Sequence, residues 1–289
     1  MTRVLVTGGD GQLGQCLKHA STRFSEIEFF FEDINTLDIT SYSSLERYFS
    51  AQSPFDFCVN CAAYTNVDKA ESDKETAFKV NADGPKYLAQ LCKNFNITLI
   101  HVSTDFVFDG KQTSPYKETD TPNPLGVYGA SKLQGERYIQ DLMDAYLIVR
   151  TSWLYSEYGN NFMKTMLRLS ETREEISVVS DQFGSPTYAG DLAEAILKII
   201  ADKMIHYGIY HYSNEGVVSW YDFATAIFDE SKKDIKVFPI KTESYPTPAK
   251  RPGYSVLDKL KIVESLGVEI PFWSDSLKQC LIKTHKFNF

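Results

Sequence analysis

The sequence predicts an α/β protein: a doubly wound, Rossmann-like parallel sheet with a smaller, discontinuous C-terminal lobe. Three observations predict it. Short apolar, β-branched runs alternate with helical patterns over about the first 150 residues. A glycine-rich turn joins the first such run to the first helix. After Thr151 the texture changes, and aromatic residues, Gly and Pro become dense, as in Trp153, Tyr155, Tyr158, Gly159 and Gly184-Ser185-Pro186-Thr187.

The elements follow in order. Arg3–Thr7, Glu28–Phe31, Asp56–Asn60, Thr98–Thr104 and Tyr146–Thr151 read as strands, apolar enough for a sheet covered on both faces. Leu13, Cys16, Leu17 and Ala20 recur at helical spacing after the first strand, and Ala77, Val80, Leu88, Leu91 and Cys92 line another helix. Gly135–Leu142 belongs to a third. Further on, Asp191–Ala201 reads as a helix returning to the first domain, and Gly208–Ser213 as a late strand of its sheet.

Composition bounds the function. The chain has 289 residues, 43% hydrophobic and 24% charged, which excludes global disorder. A net charge of −8 argues against a nucleic-acid partner. No apolar run reaches membrane-spanning length, and Met1–Gly8 reads as a buried strand rather than a signal peptide. Five cysteines, an odd number, imply no disulfide framework, and Cys58-x-x-Cys61 lacks a second pair at zinc spacing. The five histidines form no metal-binding motif. The expectation is a cytoplasmic protein without a protein-ligated metal.

Thr7-Gly8-Gly9-Asp10-Gly11-Gln12-Leu13-Gly14 places glycines in G-x-x-G-x-x-G spacing between a strand and a helix. Gly8 permits the turn, Gly11 lets backbone approach a pyrophosphate, and Gly14 lets the helix pack closely. The helix N-terminus offers N–H groups and partial positive charge to phosphates. Gly8, Gly11, Gln12 and Leu13 are therefore candidate dinucleotide contacts. Asp33, 19 residues after Gly14, stands where a carboxylate accepts from the adenosine ribose, which would favour NADH over NADPH. On this reading residues 1–155 plus about 187–216 form the dinucleotide-binding domain. Residues 156–186 plus 217–289 form the substrate lobe.

Tyr128 and Lys132 are four residues apart on a helix and share a face. A ketone that accepts hydride must also receive a proton. A nearby ammonium is expected to lower the Tyr128 pKa and ease that transfer, and Lys132 can also bind the nicotinamide ribose. Thr104 closes the Thr98–Thr104 run, where strand carboxyl ends line the ligand crevice, and its hydroxyl can hold a carbonyl.

Together with Leu37–Thr40, Asn60–Glu71, Ser103–Gly110, Arg150–Trp153, Gly159–Phe162, Asp181–Thr187 and Arg251-Pro252, these motifs resemble the extended short-chain dehydrogenase/reductase family. Within it they are most similar to the dTDP-4-dehydrorhamnose reductases. The resemblance implies reduction of the C4 ketone of dTDP-4-dehydro-β-L-rhamnose by NADPH or NADH, with a nucleotide sugar as the small-molecule partner, in a monomer or homodimer. Thr104, Tyr128 and Lys132 would take the catalytic roles. Asp38 and Ile39 would flank the adenine, and Ala62, Ala63 and Tyr64 would line the cofactor path. Asp105, Phe106 and Trp153 would meet the sugar, with Asn161, Gln182 and Arg251 also on the nucleotide-sugar side. Phe106 stands where the family usually carries Tyr. Gln15 and Cys16 leave no full set of carboxylates for a magnesium-linked dimer. A 4,6-dehydratase needs Asp-Glu after the Thr, and Phe106 disfavours it. Another nucleotide-sugar ketoreductase, a 4-epimerase and a non-catalytic NADP-binding regulatory subunit remain the alternatives.

Overall fold

The computed structural model describes residues 1–52, 54–203 and 205–287. Among them, six strands form one sheet: β1 (Thr2–Thr7), β2 (Ile27–Glu32), β3 (Phe57–Asn60), β4 (Thr98–Thr104), β5 (Tyr146–Thr151) and the strand Gly208–His211. Their order is β2-β1-β3-β4-β5, with Gly208–His211 beside β5, and every pairing is parallel.

Period-two alternation along these strands sends side chains to both faces. Val4, Val6, Val59, Leu147 and Val149 pack with Leu13 and Leu17 of α1 (Gln12–Ser21) and with Leu192 and Ile196 of the helix Ala189–Asp202. Leu5, Cys58, Leu99 and Ile148 face the other way. They meet Leu45 and Phe49 of α2 (Tyr42–Gln52), Leu88 of the helix Gly84–Asn94 and Ile139 of the helix Val127–Leu142. Each such side chain contributes roughly 1.5–3 kcal/mol on burial, so the two layers hold the strand ends in register.

That register positions the site. Thr7 pairs with Asn60, Asn60 with His101 and Thr104 with Thr151, which brings the carboxyl ends of β1, β3, β4 and β5 to one rim. The chain leaves β1 for β2 on one side and returns to β3 on the other. The reversal opens a crevice between the loops that follow β1 and β3.

The helix expected through Ala77–Cys92 is broken into Lys74–Phe78, a π turn at Lys79–Asp83 and the helix Gly84–Asn94. Pro85 has no N–H to continue the ladder, so the Asn81 carbonyl is released. The π turn directs the buried Asn81 side chain inward, where it pairs with both backbone groups of Tyr64 and with Ser131. Gly135 lies against the Asn81 carbonyl, and a Cβ there would collide with it.

A third cluster gathers Tyr155, Met163, Ile176, Tyr188, Phe223, Ile227, Trp273 and Leu277 away from the sheet. Beside it, Glu175–Val179 pairs in parallel with Lys236–Ile240. Among the described residues no helix is long and apolar enough to cross a membrane.

Candidate active site

A cleft of about 870 Å³ opens on the rim of the sheet. From the sheet side it is lined by Gly8, Gly11, Gln12, Leu13, Asp33, Asp38, Ile39, Ala62, Ala63, Thr104, Asp105, Phe106, Tyr128 and Lys132. Trp153, Phe162, Trp220 and Arg251 close it from the other side.

The glycine turn fits a pyrophosphate on two independent grounds. Gly8 has φ +69°, and a Cβ there would stand 2.6 Å from the Ala62 nitrogen, so the bend needs glycine twice over. At Gly14 a Cβ would collide with the Gly8 carbonyl, which lets α1 begin directly against the turn. The N-cap of α1 is Gly11, with no side-chain cap and no acid in the first turn, so no side chain of the helix occupies its first free N–H groups. Asp33 is tied into this turn: its carboxylate accepts from the backbone N–H of Asp10 at 3.0 Å and of Ile34 at 2.7 Å. Asp38 accepts from both the backbone and the hydroxyl of Thr40, and Ile39 is buried against Gly84.

Tyr128 and Lys132 lie on the first turns of the helix Val127–Leu142, whose start is fixed by the Val127 N–H donating to Glu71 at 2.8 Å. The Tyr128 ring meets Phe106 edge-on, with centroids 5.6 Å apart. Its pKa is pushed up to about 12, first by desolvation. A hydrogen bond with Thr104 works against the rise, and the Asp105 charge adds to it. This reverses the expectation that Lys132 lowers it. Lys132 is buried with its Nζ donating to the Val102 carbonyl at 2.7 Å, and Nζ also lies 3.3 Å from His101 Nε2. Burial brings the Lys132 pKa down to about 8, against the pull of Glu136 and Cys61. The phenol is therefore neutral at pH 7, which is the state a proton donor requires.

Asp105 is buried beside Thr104, whose hydroxyl donates to it at 3.1 Å. Burial pushes its pKa up to about 6, with hydrogen bonds from Ser255 and Thr104 opposing. Trp153 adopts φ +46° and stacks on Trp220 with centroids 3.6 Å apart and planes 9° from parallel. Gly184 leaves room for the indole, since a Cβ there would lie 2.6 Å from Trp153 Cε2. Arg251 reaches the cleft but is engaged: its guanidinium grips the Asp68 carboxylate at 2.8 and 3.2 Å and donates to Thr247 at 2.5 Å.

Three expected residues are not on the cleft wall. The Tyr64 hydroxyl turns to Asp73 at 3.2 Å, and its ring packs beside Tyr128 against Ala70 and Ala77. Gln182 is buried and donates to Thr242 at 3.1 Å. Asn161 caps the helix Phe162–Leu169 and donates to Gln12 at 2.8 Å, so it braces a lining residue from behind. Conversely, Trp220 lines the cleft and His101 lies against Lys132 although neither carries a motif in the sequence, and Phe162, the last residue of the Gly159–Phe162 motif, lines the cleft without an expected role. Among the described residues no group of three His, Cys, Asp or Glu side chains is arranged to hold a metal.

The chain matches the family model of the RmlD substrate binding domain over residues 1–286. It is 45% identical over 288 residues to the dTDP-4-dehydrorhamnose reductase of Aggregatibacter actinomycetemcomitans, covering 96% of this chain and 98% of that one. The solved structure of a dTDP-4-dehydrorhamnose reductase from Clostridium acetobutylicum superposes with TM-score 0.94 at 41% identity, covering 98% of this chain and 100% of that one. The Bacillus anthracis enzyme of the same name, solved in complex with NADP, gives 0.93 at 40% identity, with coverages of 98% and 100%. On its full-length match and on these relatives, the chain belongs to the RmlD substrate binding domain family.

Proposed function

We propose that the protein reduces the C4 ketone of dTDP-4-dehydro-β-L-rhamnose to dTDP-β-L-rhamnose, using NADPH or NADH. One observation carries the reading: a neutral phenol and a strand-end threonine line the same cleft as a glycine turn shaped for a pyrophosphate. The names of relatives at 37–45% identity over nearly the whole chain support the same substrate. The NADP complex of the Bacillus anthracis relative supports a nicotinamide cofactor.

Gly8–Leu13 would hold the pyrophosphate, Asp33, Asp38 and Ile39 the adenosine end, and Ala62, Ala63 and Lys132 the path to the nicotinamide ribose. When bound, the reduced nicotinamide supplies the hydride. Thr104 orients the ketone oxygen for Tyr128, which gives its proton to the oxygen as negative charge develops there. Lys132 places a positive charge on the cofactor side as the phenolate forms. The Trp153–Trp220 stack offers an apolar wall to the sugar, and Arg251 a guanidinium to the diphosphate. Phe106, in the place a dehydratase would fill with a base, supplies none, which favours simple reduction. The five free cysteines fit a reducing cytoplasm, and the assembly is a monomer or a homodimer.

The test is a coupled assay. The 4-keto sugar is generated in situ from its dTDP-sugar precursor, and oxidation of NADH and NADPH is followed separately at 340 nm. Sugar-dependent oxidation is expected with at least one cofactor. Its absence with both rejects the reading.

A further inference from the structure

A buried file of polar side chains runs across the sheet to the lysine. Thr7 on β1, Asn60 on β3, His101 on β4 and Lys132 are each at most 2% exposed. Its hydrogen-bond directions are fixed at one end. The Ala62 backbone N–H, which can only donate, lies 3.1 Å from Asn60 Oδ1, and the Thr7 hydroxyl donates to the same oxygen at 2.7 Å. The other half of the amide, Nδ2, therefore donates to His101 Nδ1 at 2.9 Å. Because Nδ1 accepts, a neutral imidazole carries its proton on Nε2. That Nε2–H is directed at Lys132 Nζ, 3.3 Å away.

An ammonium at this point sets donor against donor, whereas an amine accepts. Nζ can still give one N–H to the Val102 carbonyl in either state. Resting on the reductase reading, we propose that His101 is a positioning residue for Lys132. Held by Asn60 in its Nε2–H form, it stabilises the neutral amine and turns the ammonium, when it forms, away from the sheet and toward the cleft.

The surroundings are consistent. Burial holds the His101 pKa well below its usual value, so the ring is neutral. Glu136, one turn along the helix, favours the ammonium but is committed to Arg150 and Ser103. Cys61 also pulls Lys132 toward the ammonium, but its own thiol is raised beyond the neutral range by burial.

Two measurements test this, and neither uses the sugar. In ¹⁵N NMR of the wild-type protein, His101, assigned by loss of its signals in His101→Gln, should show a protonated Nε2 and a bare Nδ1. A protonated Nδ1 or an imidazolium overturns the proposal. Asn60→Asp puts a carboxylate opposite Nδ1, so the tautomer should invert and Nε2 should accept from the ammonium. The proton affinity of Lys132 then rises at least tenfold, roughly one pH unit. This is read as an alkaline shift in the midpoint at which NADPH affinity, followed by fluorescence titration, falls off with pH. His101→Gln, whose amide oxygen can face Nζ without adding charge, should move the midpoint in the same direction, and it carries the test if Asn60→Asp does not fold. An unmoved midpoint in folded protein refutes the proposal, whereas damage to packing alone would weaken binding at every pH. Failure of the sugar assay would leave both readouts intact, so the two readings fail separately.

Discussion

Arg150→Met should be among the more damaging single changes in the sheet. Arg150 is 2% exposed and Glu136 fully buried, and they meet through three hydrogen bonds of 2.7, 3.0 and 3.2 Å. The Ser103 hydroxyl gives Glu136 a further bond at 2.5 Å, and the guanidinium lies 5.2 Å from the Phe108 ring centroid. Methionine fills much of the arginine's volume but leaves a carboxylate in the core with only Ser103 to answer it. Breaking a buried pair in this way costs about 3–5 kcal/mol. For a chain of this size, unfolding entropy near ~0.6 kcal/mol/K converts that to a Tm loss of roughly 5–8 °C. The Glu136→Leu partner change removes the stranded charge. The double variant should therefore recover about 2 kcal/mol or more relative to the sum of the single changes. Urea unfolding and thermal melts of the four proteins measure the cycle. A single variant within about 1 kcal/mol of wild type, or strictly additive changes, would refute the reasoning.

Three further outcomes are expected. Tyr128→Phe should lower sugar-dependent NADPH oxidation by roughly 10²–10⁴ while leaving NADPH binding close to wild type, and a rate within threefold would remove Tyr128 as the proton donor. Gly8→Ala forces a side chain into left-handed backbone and onto the Ala62 nitrogen, so NADPH affinity by fluorescence titration should fall at least tenfold; unchanged affinity would show that the turn tolerates a Cβ. The Arg251 guanidinium holds the Asp68 carboxyl below its ordinary value, so this clasp contributes fully above the unfolded aspartate pKa near ~3.9 and is lost as pH falls through the lower folded value. Asp68→Asn should then cost at most about 1 kcal/mol at pH 7, because the pair is partly exposed, and the gap in urea midpoint should close in acid; a gap that persists there contradicts the assignment.

What was legible in the sequence followed local rules. β4 and β5 were read with their observed limits because apolar, β-branched runs bounded by turns leave little freedom. The glycine turn was legible because Gly8 answers a backbone demand that no other residue meets cheaply. Tyr128 and Lys132 were legible as a helical pair, but not the electrostatics between them. Those depend on Val102, His101 and Asp105, which reach the pair through strand register rather than through spacing. Family resemblance puts Tyr64, Asn161 and Gln182 at the cleft, and none of the three is on its wall. Which way a loop side chain turns is decided by partners such as Asp73, Gln12 and Thr242, distant in sequence for the last two. The break at Lys79–Asp83 was hidden because an apolar period survives a single π turn.

The indole pair has an optical consequence. Two of the three tryptophans, Trp153 and Trp220, lie face to face, while Trp273 sits within the third cluster. Transition dipoles at that separation couple, so the pair should give a split circular-dichroism band that the isolated chromophore lacks. One ring follows β5 and the other opens the helix Trp220–Ser231, so the band reports how the carboxyl end of β5 sits against that helix. Any ligand that wedges these two parts apart would announce itself in the spectrum without a label.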